Sequence, residues 1–294
     1  MTWPTARRRA ARLLPSHPVR VDAFIIGATK SGTSALFTYL GLHPACVPST
    51  LKEVSFFNNP ERYARGTAWY HAQFPRRVYR PWRDYRFLDA SPNYLDDEAT
   101  AQRLRAYNPD ARLMVLMRDP VRKSFSLWNH WSQQAQRPDA EKRESFELYV
   151  QGFPHADRWW TVMHARPFPS FGEMVEKSIA AVEAGDLDHW PNVVSGAIYA
   201  DQIVPYLRHF PREALCTIQS ERFQRDRVGV LEAVTRFLRL RPLAWGAQPL
   251  PGVHERGYAQ GLSGDVEARL RAFYRPHNER LWEVLGERYD WPAA

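Results

Sequence analysis

Residues 24–36 read FIIGATKSGTSAL, and this stretch carries the strongest structural signal in the chain. An apolar run ends at Gly27, a short polar loop follows, and an apolar helical pattern begins after Gly32. Because glycine has no Cβ to oppose positive φ, such a loop folds back tightly, and its amides converge on an anion with the first free N–H groups of the helix. The pattern therefore predicts a phosphate-binding loop. Its candidate binding residues are Lys30, Ser31, Gly32, Thr33 and Ser34.

This loop is close to a Walker A motif but differs from it at one position. Gly27 and Gly32 keep the spacing of G-x-x-x-x-G-K-[ST], whereas Thr33 stands where that motif has lysine. Lys30 lies inside the loop, so its ammonium would meet a different atom of the ligand. A strand-to-helix turn without a ligand is the alternative, and the strand, loop and helix context favours the phosphate site.

Composition bounds the class of protein without choosing a ligand. The chain has 294 residues, of which 44% are hydrophobic and 24% charged, as in an ordinary globular protein with one large or two modest domains. The net charge of +8 suits an anionic substrate, a nucleic acid or a membrane surface equally well. Charge alone therefore decides nothing among these partners.

Cysteine usage and hydropathy predict a cytoplasmic protein. Cys46 and Cys216 are far apart in sequence and form no metal-like cluster, which fits a reducing compartment. No stretch approaches the ~20 apolar residues of a membrane span. Residues 1–20 contain five arginines without a following apolar segment, which argues against a signal peptide and predicts a flexible basic arm.

Strand and helix patterns alternate along the rest of the chain. We expect strands at residues 21–28, 85–90, 112–117 and 214–219. We expect helices at residues 32–42, 67–74, 98–107, 120–130, 171–184, 195–210, 226–240 and 265–285. This order predicts a three-layer α/β fold with a parallel sheet, in which ligands bind at the carboxyl ends of the strands. Residues 21–294 are expected to form one domain, with residues 137–195 as an insertion beside the site.

A second candidate anion site follows the strand at 112–117. Residues 118–130 read RDPVRKSFSLWNH, so Arg118 emerges at a strand end and Ser126 lies about two helical turns further on. Arginine binds phosphate oxygens in a bidentate manner, and a serine hydroxyl can complete the site. The alternative is that Arg118 simply pairs with Asp119 at the start of a helix.

Two anion sites would suit a nucleotide with phosphates at both ends of its ribose. With these motifs the chain resembles the PAPS-dependent sulfotransferases, most closely the heparan sulfate N- and O-sulfotransferase branch and its bacterial relatives. That resemblance implies a P-loop-like fold. It is carried by GATKSGT at 27–33, KEVSFF at 52–57, FLDASPNY at 87–94, Arg118-Asp119-Pro120 with Ser126 and, more loosely, Trp69-Tyr70.

The resemblance implies roles for individual residues. PAPS would be the sulfuryl donor and PAP the product, and the mechanism would need no metal. Lys30 would neutralise charge on the departing 5′-phosphate, and Glu53 would act as general base toward an acceptor hydroxyl or amine. Lys52 would hold that carboxylate ionised or contact the sulfonate. His130 resembles a functional histidine of the N-sulfotransferases, with a capping or packing role as its alternative.

Further positions are similar to family sites near the nucleotide. Tyr199 resembles a family tyrosine near the nucleotide. Arg256-Gly257-Tyr258 falls where relatives carry a Lys-Gly-Arg stretch that closes over PAPS, and Arg256 is the expected phosphate contact. Relatives acting on heparan have a lysine where this chain has Ala90, which makes a highly anionic polysaccharide a poorer acceptor.

Two other function classes fit the sequence less well. A P-loop kinase or NTPase needs lysine at position 33 and an acidic residue ending a strand to hold Mg²⁺, but Thr33 and Arg118 stand there. A nucleic-acid-binding protein would concentrate its basic residues, whereas these arginines are spread along the chain. A sulfotransferase without a nucleic-acid partner is therefore the predicted class.

The acceptor is predicted only by class. Aromatic and histidine residues of the insertion are expected to wall the acceptor pocket, with packing inside the insertion as their alternative. We expect a small molecule of bacterial specialised metabolism as the acceptor, with a carbohydrate as the alternative. The insertion residues concerned are His155, Trp159, Trp160, His164 and Trp190.

Overall fold

The centre of the described chain is a sheet of five parallel strands. In this computed structural model the described residues are 19–75, 85–153, 156–186, 191–252 and 261–292. The strands are β1 (Val21–Gly27), β2 (Cys46–Pro48), β3 (Arg86–Ala90), β4 (Arg112–Met117) and β5 (Leu215–Gln219). Their order is β2-β3-β1-β4-β5, which confirms the α/β class and its predicted strands. The chain reverses its winding between β1 and β4, where such sheets bind ligands.

Both faces of the sheet are buried. Along β1, Phe24 and Ile26 belong to the apolar core on one face, while Ala23 and Ile25 belong to the core on the other. Strand β4 alternates in the same way, which explains its continuous apolar sequence. Two apolar cores therefore hold the strands from either side and fix their ends in place.

Helices cover these two faces. They are α1 (Thr33–Leu40), α2 (Pro60–Ala64), α3 (Gly66–His71), α4 (Glu98–Tyr107), α5 (Pro120–Ala135), α6 (Asp139–Tyr149), α7 (Ala156–Met163), α8 (Phe171–Glu183), α9 (Tyr199–His209), α10 (Ser220–Arg225), α11 (Arg227–Phe237) and α12 (Gly264–Leu285). Helices α1, α10 and α11 contribute to one core, and α4, α5, α8, α9 and α12 to the other. The helices predicted from apolar periodicity are confirmed. The helix predicted at 226–240 is α11, and a separate short helix, α10, precedes it.

The insertion contains more regular structure than its sequence indicates. Helix α8 was expected, whereas α6 and α7 were not. A small apolar cluster of Ala135, Val150, Trp159 and Met163 joins these helices to the end of α5. The expected basic arm lies almost entirely outside the described residues, and the assignment of residues 21–294 to one domain stays a prediction.

Candidate active site

The predicted phosphate loop joins β1 to α1. Gly32, the residue before the helix, has φ 97°, and Lys30 has φ 63°. No side chain of the described residues caps the N-terminus of α1, so its first amide groups face the loop. The Ala28 amide donates to the Leu116 carbonyl of β4 at 2.8 Å, which ties the loop to the neighbouring strand. The loop has the shape and polarity that an anion requires.

Arg118 lies beside this loop at the end of β4. Its Nη1 donates to the Lys30 carbonyl at 3.4 Å, so the two predicted anion sites touch. The Tyr199 hydroxyl accepts the Arg118 amide at 3.1 Å and donates to the Arg118 carbonyl at 2.8 Å. Burial raises the pKa of Tyr199 far above its usual value. This tyrosine holds the Arg118 backbone in place, and its direct contact with nucleotide stays a prediction.

Asp119 is used by its own helix and by α12. Its Oδ1 accepts the amides of Val121 and Arg122 at 2.8 and 3.1 Å, capping α5. Its Oδ2 pairs with Arg271 at 3.2 Å. The Asp119 carboxylate is thus bound to Arg271 and the helix, which argues against the alternative in which Arg118 serves only as its partner.

The segment from Lys52 to Phe57 brings Glu53 to the same edge of the sheet. Glu53 has φ 65°, a conformation that side-chain-bearing residues rarely adopt. Its amide donates to the Ala90 carbonyl at 3.0 Å, and its carboxylate pairs with the Lys52 ammonium. Arg62 donates to the Glu53 and Val54 carbonyls at 3.3 and 2.8 Å. The backbone of the predicted base is therefore held from two directions.

Asp89 of β3 holds this segment in place through a network of hydrogen bonds. The buried carboxylate accepts hydroxyl hydrogen bonds from Ser91, Tyr94 and Tyr70 at 2.8, 2.8 and 2.9 Å. The Ser91 and Tyr94 oxygens in turn accept the amides of Ser55 and Phe56, both at 2.9 Å. Burial raises the pKa of Asp89, and the three hydrogen bonds oppose that rise. The sequence signal for this network was an aspartate within an otherwise apolar strand.

These parts open into one cavity of about 2040 Å³. Ser126 and His130 lie one turn apart on α5 and line it together. Predicted site residues in its lining are Lys30, Ser31, Gly32, Thr33, Ser34, Lys52, Glu53, Arg118, Ser126 and His130. The fold thus gathers these residues in one place. Arg256, Gly257 and Tyr258 lie outside the described residues, as do His155 and Trp190.

The insertion supplies part of the wall, but not through all the expected aromatics. Trp159 lines the cavity and also packs within the insertion. Trp160 and His164 are not part of the lining; their rings stack with centroids 5.2 Å apart, and His164 contacts Asp139 at 3.2 Å. For this pair the packing alternative is correct.

Tyr149, at the end of α6, was missed and lines the same cavity as Glu53. The adjacent Leu148 carbonyl accepts a hydrogen bond from Arg62, the arginine that also binds the Glu53 carbonyl. Sequence pattern offered no signal for this contact, because it joins residues 86 positions apart. The insertion and the Glu53 segment are thus connected by one side chain.

Two further properties concern metals and membranes. Within the described ranges, no group of three or more His, Cys, Asp or Glu side chains is arranged to hold a metal ion. Among the described helices, none combines the length and apolar character needed to cross a bilayer. The metal-free mechanism and the cytoplasmic location stay predictions.

Comparison with known proteins gives the class. Residues 20–244 match the Sulfotransferase domain family, and the protein belongs to this family. Members of this family are sulfotransferases, and they use PAPS. The family suggested by the sequence motifs is confirmed.

Individual relatives share modest identity with the chain. Mouse heparan sulfate glucosamine 3-O-sulfotransferase 3B1 is 26% identical over 291 residues, covering 92% of this chain and 64% of that protein. Its human counterpart is 27% identical over 294 residues, with coverage of 92% and 64%. The chain thus spans just under two thirds of their length. A sulfotransferase structure from Alicyclobacillus acidocaldarius has a TM-score of 0.64, 24% identity and coverage of 92% and 98%, and it shows the same fold.

Proposed function

We propose that this enzyme transfers the sulfuryl group of PAPS to a hydroxyl or amine of a small molecule of bacterial specialised metabolism. One observation carries the proposal: the anion-binding loop, Arg118 and the Glu53 carboxylate all line one cavity. A sulfuryl donor and an acceptor must meet in line, and catalysis depends on alignment and on stabilising charge at the leaving oxygen. The cavity holds residues for both tasks.

The donor half is formed by the loop and α5. The α1 amides and the Lys30 ammonium are suited to the 5′-phosphosulfate, where Lys30 stabilises the charge that develops on the leaving phosphate oxygen. Arg118 and Ser126 are suited to the 3′-phosphate, because a guanidinium binds two phosphate oxygens and a hydroxyl donates to a third. Tyr199 keeps the Arg118 backbone fixed during this contact.

The acceptor half is organised around Glu53. Its carboxylate takes the proton from the acceptor hydroxyl or amine as the acceptor atom bonds to sulfur. The bond between sulfur and the 5′-phosphate oxygen breaks, and PAP leaves with that electron pair. Lys52 fixes the Glu53 side chain through their ion pair, and His130 faces the same cavity. The step is therefore balanced, because the proton of the acceptor ends on Glu53 and the electron pair of the broken bond ends on PAP.

A carbohydrate acceptor is the second candidate. The names of the mammalian relatives, heparan sulfate glucosamine 3-O-sulfotransferases, favour it. The lining of the cavity, however, includes several carboxylates, among them Asp96, Asp186 and Asp201. Because carboxylates repel a polyanion, a neutral or weakly charged carbohydrate fits this wall better than a sulfated polysaccharide.

Glu53→Gln is the decisive variant. It keeps the size of the side chain and removes the base, so PAP should still raise the melting temperature as in the wild type. Transfer of label from PAPS to a panel of hydroxyl and amine acceptors should fall by a factor of roughly a hundred to ten thousand.

The matched control is Glu61→Gln, which changes an exposed glutamate of α2 outside the cavity lining and should leave transfer intact. Retained turnover in Glu53→Gln would remove Glu53 as the base. Absence of any PAP-induced stabilisation in the wild type at millimolar nucleotide would reject the donor itself.

A further inference from the structure

Arg62 of α2 connects two segments that meet at the candidate active site. Its Nη1 donates to the Glu53 and Val54 carbonyls at 3.3 and 2.8 Å, and its Nη2 donates to the Leu148 carbonyl at the end of α6. These acceptors are all backbone carbonyls, so the Arg62 side chain fixes main-chain positions instead of neutralising an acidic side chain. One planar guanidinium therefore sets the separation between the segment that carries the proposed base and the insertion.

A second contact joins α2 to the same end of α6. The buried Asn59 side chain caps α2 by accepting the Arg62 amide at 3.0 Å, and its Nδ2 donates to the Gln151 carbonyl at 2.9 Å. Gly152 follows with φ 85°, and a Cβ at this position would come within 2.9 Å of the Asn59 side-chain amide. Two side chains and one close backbone approach thus hold the end of α6 against α2.

The end of α6 also faces the cavity that contains Glu53. Tyr149 directly follows Leu148, is 44% exposed and lines this cavity, so an acceptor that fills the cavity contacts it. Arg62 binds the carbonyl before Tyr149 and the carbonyl of Glu53, and it therefore fixes the one relative to the other. Glu53 itself has φ 65°, a conformation that persists only where the surroundings impose it.

We propose that Arg62 is a positioning residue for sulfuryl transfer, which holds the Glu53 segment and the end of α6 as one unit so that an acceptor lying against the insertion meets the base. This inference rests on the proposed function, because it assigns Arg62 a part in the same transfer step. Arg62 is not among the residues that line the cavity, so it acts through Glu53 and the wall. A displacement of about 1 Å can lower a rate a hundredfold, so loss of this bridge should appear in turnover and not in binding.

Arg62→Lys tests this role, because lysine keeps the positive charge but lacks the planar fork that reaches carbonyls of both segments. Arg166→Lys is the matched control. Arg166 also donates to three backbone carbonyls, those of Met163, Ala165 and Ala135, at 3.3, 2.8 and 2.9 Å. These acceptors belong to the insertion and the end of α5, and Arg166 is not part of the cavity lining. A general effect of replacing such an arginine would change both variants alike.

Turnover is measured with labelled PAPS and three acceptors: 4-nitrophenol, methyl β-glucoside and benzylamine. PAP is titrated first by calorimetry, so that rates refer to folded, nucleotide-binding sites and a failure of the donor assignment is recognised separately. With the acceptor that the wild type uses best, Arg62→Lys should lower kcat per binding site roughly ten- to a hundredfold. The Kd of PAP and the KM for the acceptor should change much less. Arg166→Lys should keep the wild-type kcat.

Hydrogen exchange followed by mass spectrometry gives a second readout that needs no acceptor. In Arg62→Lys, amide exchange should become faster in residues 51–58 and 146–153 together, because both segments lose the same donor. In Arg166→Lys, exchange in residues 51–58 should match the wild type. A failure of the bridge is therefore distinguishable from a failure of the proposed function, which would appear as absence of transfer by the wild type.

Two results would overturn the proposal. A wild-type kcat per binding site in Arg62→Lys would show that the guanidinium does not position the base. Faster exchange confined to one of the two segments would show that Arg62 does not hold them as one unit.

Discussion

At the scale of single residues, backbone conformation marks the site. Among the described residues, the non-glycine positions with positive φ are Lys30, Glu53, Ser55 and Arg239, and the first three belong to the phosphate loop or the Glu53 segment. Such conformations cost of the order of 1 kcal/mol each and persist where the surroundings impose them. The sequence made Lys30 and Glu53 candidate site residues, but it did not reveal that their backbones are strained. That strain depends on distant partners such as Arg62 and Ser91.

The burial of a single side chain, Lys123, predicts that the stability of the protein depends on pH. Burial lowers the pKa of this ammonium to about 8 from 10.5, so between these pH values the unfolded chain binds more protons than the folded one. The penalty for burying the charge is full below about pH 8 and is relieved as pH rises toward 10.5. Lys123→Met removes this contribution. We expect the free energy of unfolding of the wild type, relative to that variant, to increase across this window.

Denaturant unfolding of the ligand-free protein over that pH range measures the effect. Lys142→Met retains Lys123, so it should show the same rise as the wild type. A constant difference between wild type and Lys123→Met across the window would contradict the burial of a charged Lys123.

At the scale of elements, apolar patterns predicted strands and helices well, and failed where the elements are short or irregular. The runs at β1 and β4 were evident because both faces of those strands are buried. Strand β2 has three residues, too few for a periodic signal, and α6 is a largely polar helix with one buried residue, Lys142. The partners in the Asp89 network could not be read from the aspartate alone, because Tyr94, which donates to Asp89, accepts the amide of Phe56 from 38 positions away.

Tyr94 and Tyr70 allow the role of that network to be tested. Both hydroxyls donate to Asp89 Oδ2, but Tyr94 alone of the two also accepts the Phe56 amide from the Glu53 segment. Removal of either hydroxyl should lower the free energy of unfolding by about 1–3 kcal/mol, since a buried carboxylate loses a partner. Tyr94→Phe should in addition lower sulfuryl transfer more than Tyr70→Phe does, with PAP binding unchanged in both.

Unfolding curves and labelled transfer assays on the two variants give the comparison. Tyr70→Phe is the matched control, because it weakens the same carboxylate without touching the segment that carries Glu53. Equal transfer rates in the two variants would show that the contact between Tyr94 and the Phe56 amide does not position the base.

At the scale of the whole molecule, the sheet explains why distant motifs meet. Residues 24–36 and 118–130 are far apart in sequence, and the order β3-β1-β4 places their strand ends side by side. The rule that ligands bind at the carboxyl ends of parallel strands was enough to predict this meeting. It was not enough to predict the cavity wall, because α6 and α7 are specific to the insertion and contact the site through side chains such as Arg62 and Trp159.

Arg112 and Arg118 lie at opposite ends of β4, so variants of these two residues test this arrangement. Arg112 begins β4 and stacks on Phe237 at the opposite edge of the sheet, whereas Arg118 follows β4 beside the phosphate loop. Arg118→Ala should weaken PAP by roughly ten- to a hundredfold, the loss expected for a charged phosphate contact, and should affect adenosine 5′-phosphate much less. Arg112→Ala should leave both affinities unchanged, as calorimetric titration can establish. Equal losses for the two nucleotides in Arg118→Ala would refute the 3′-phosphate assignment, because the guanidinium would then act on a group that both nucleotides share.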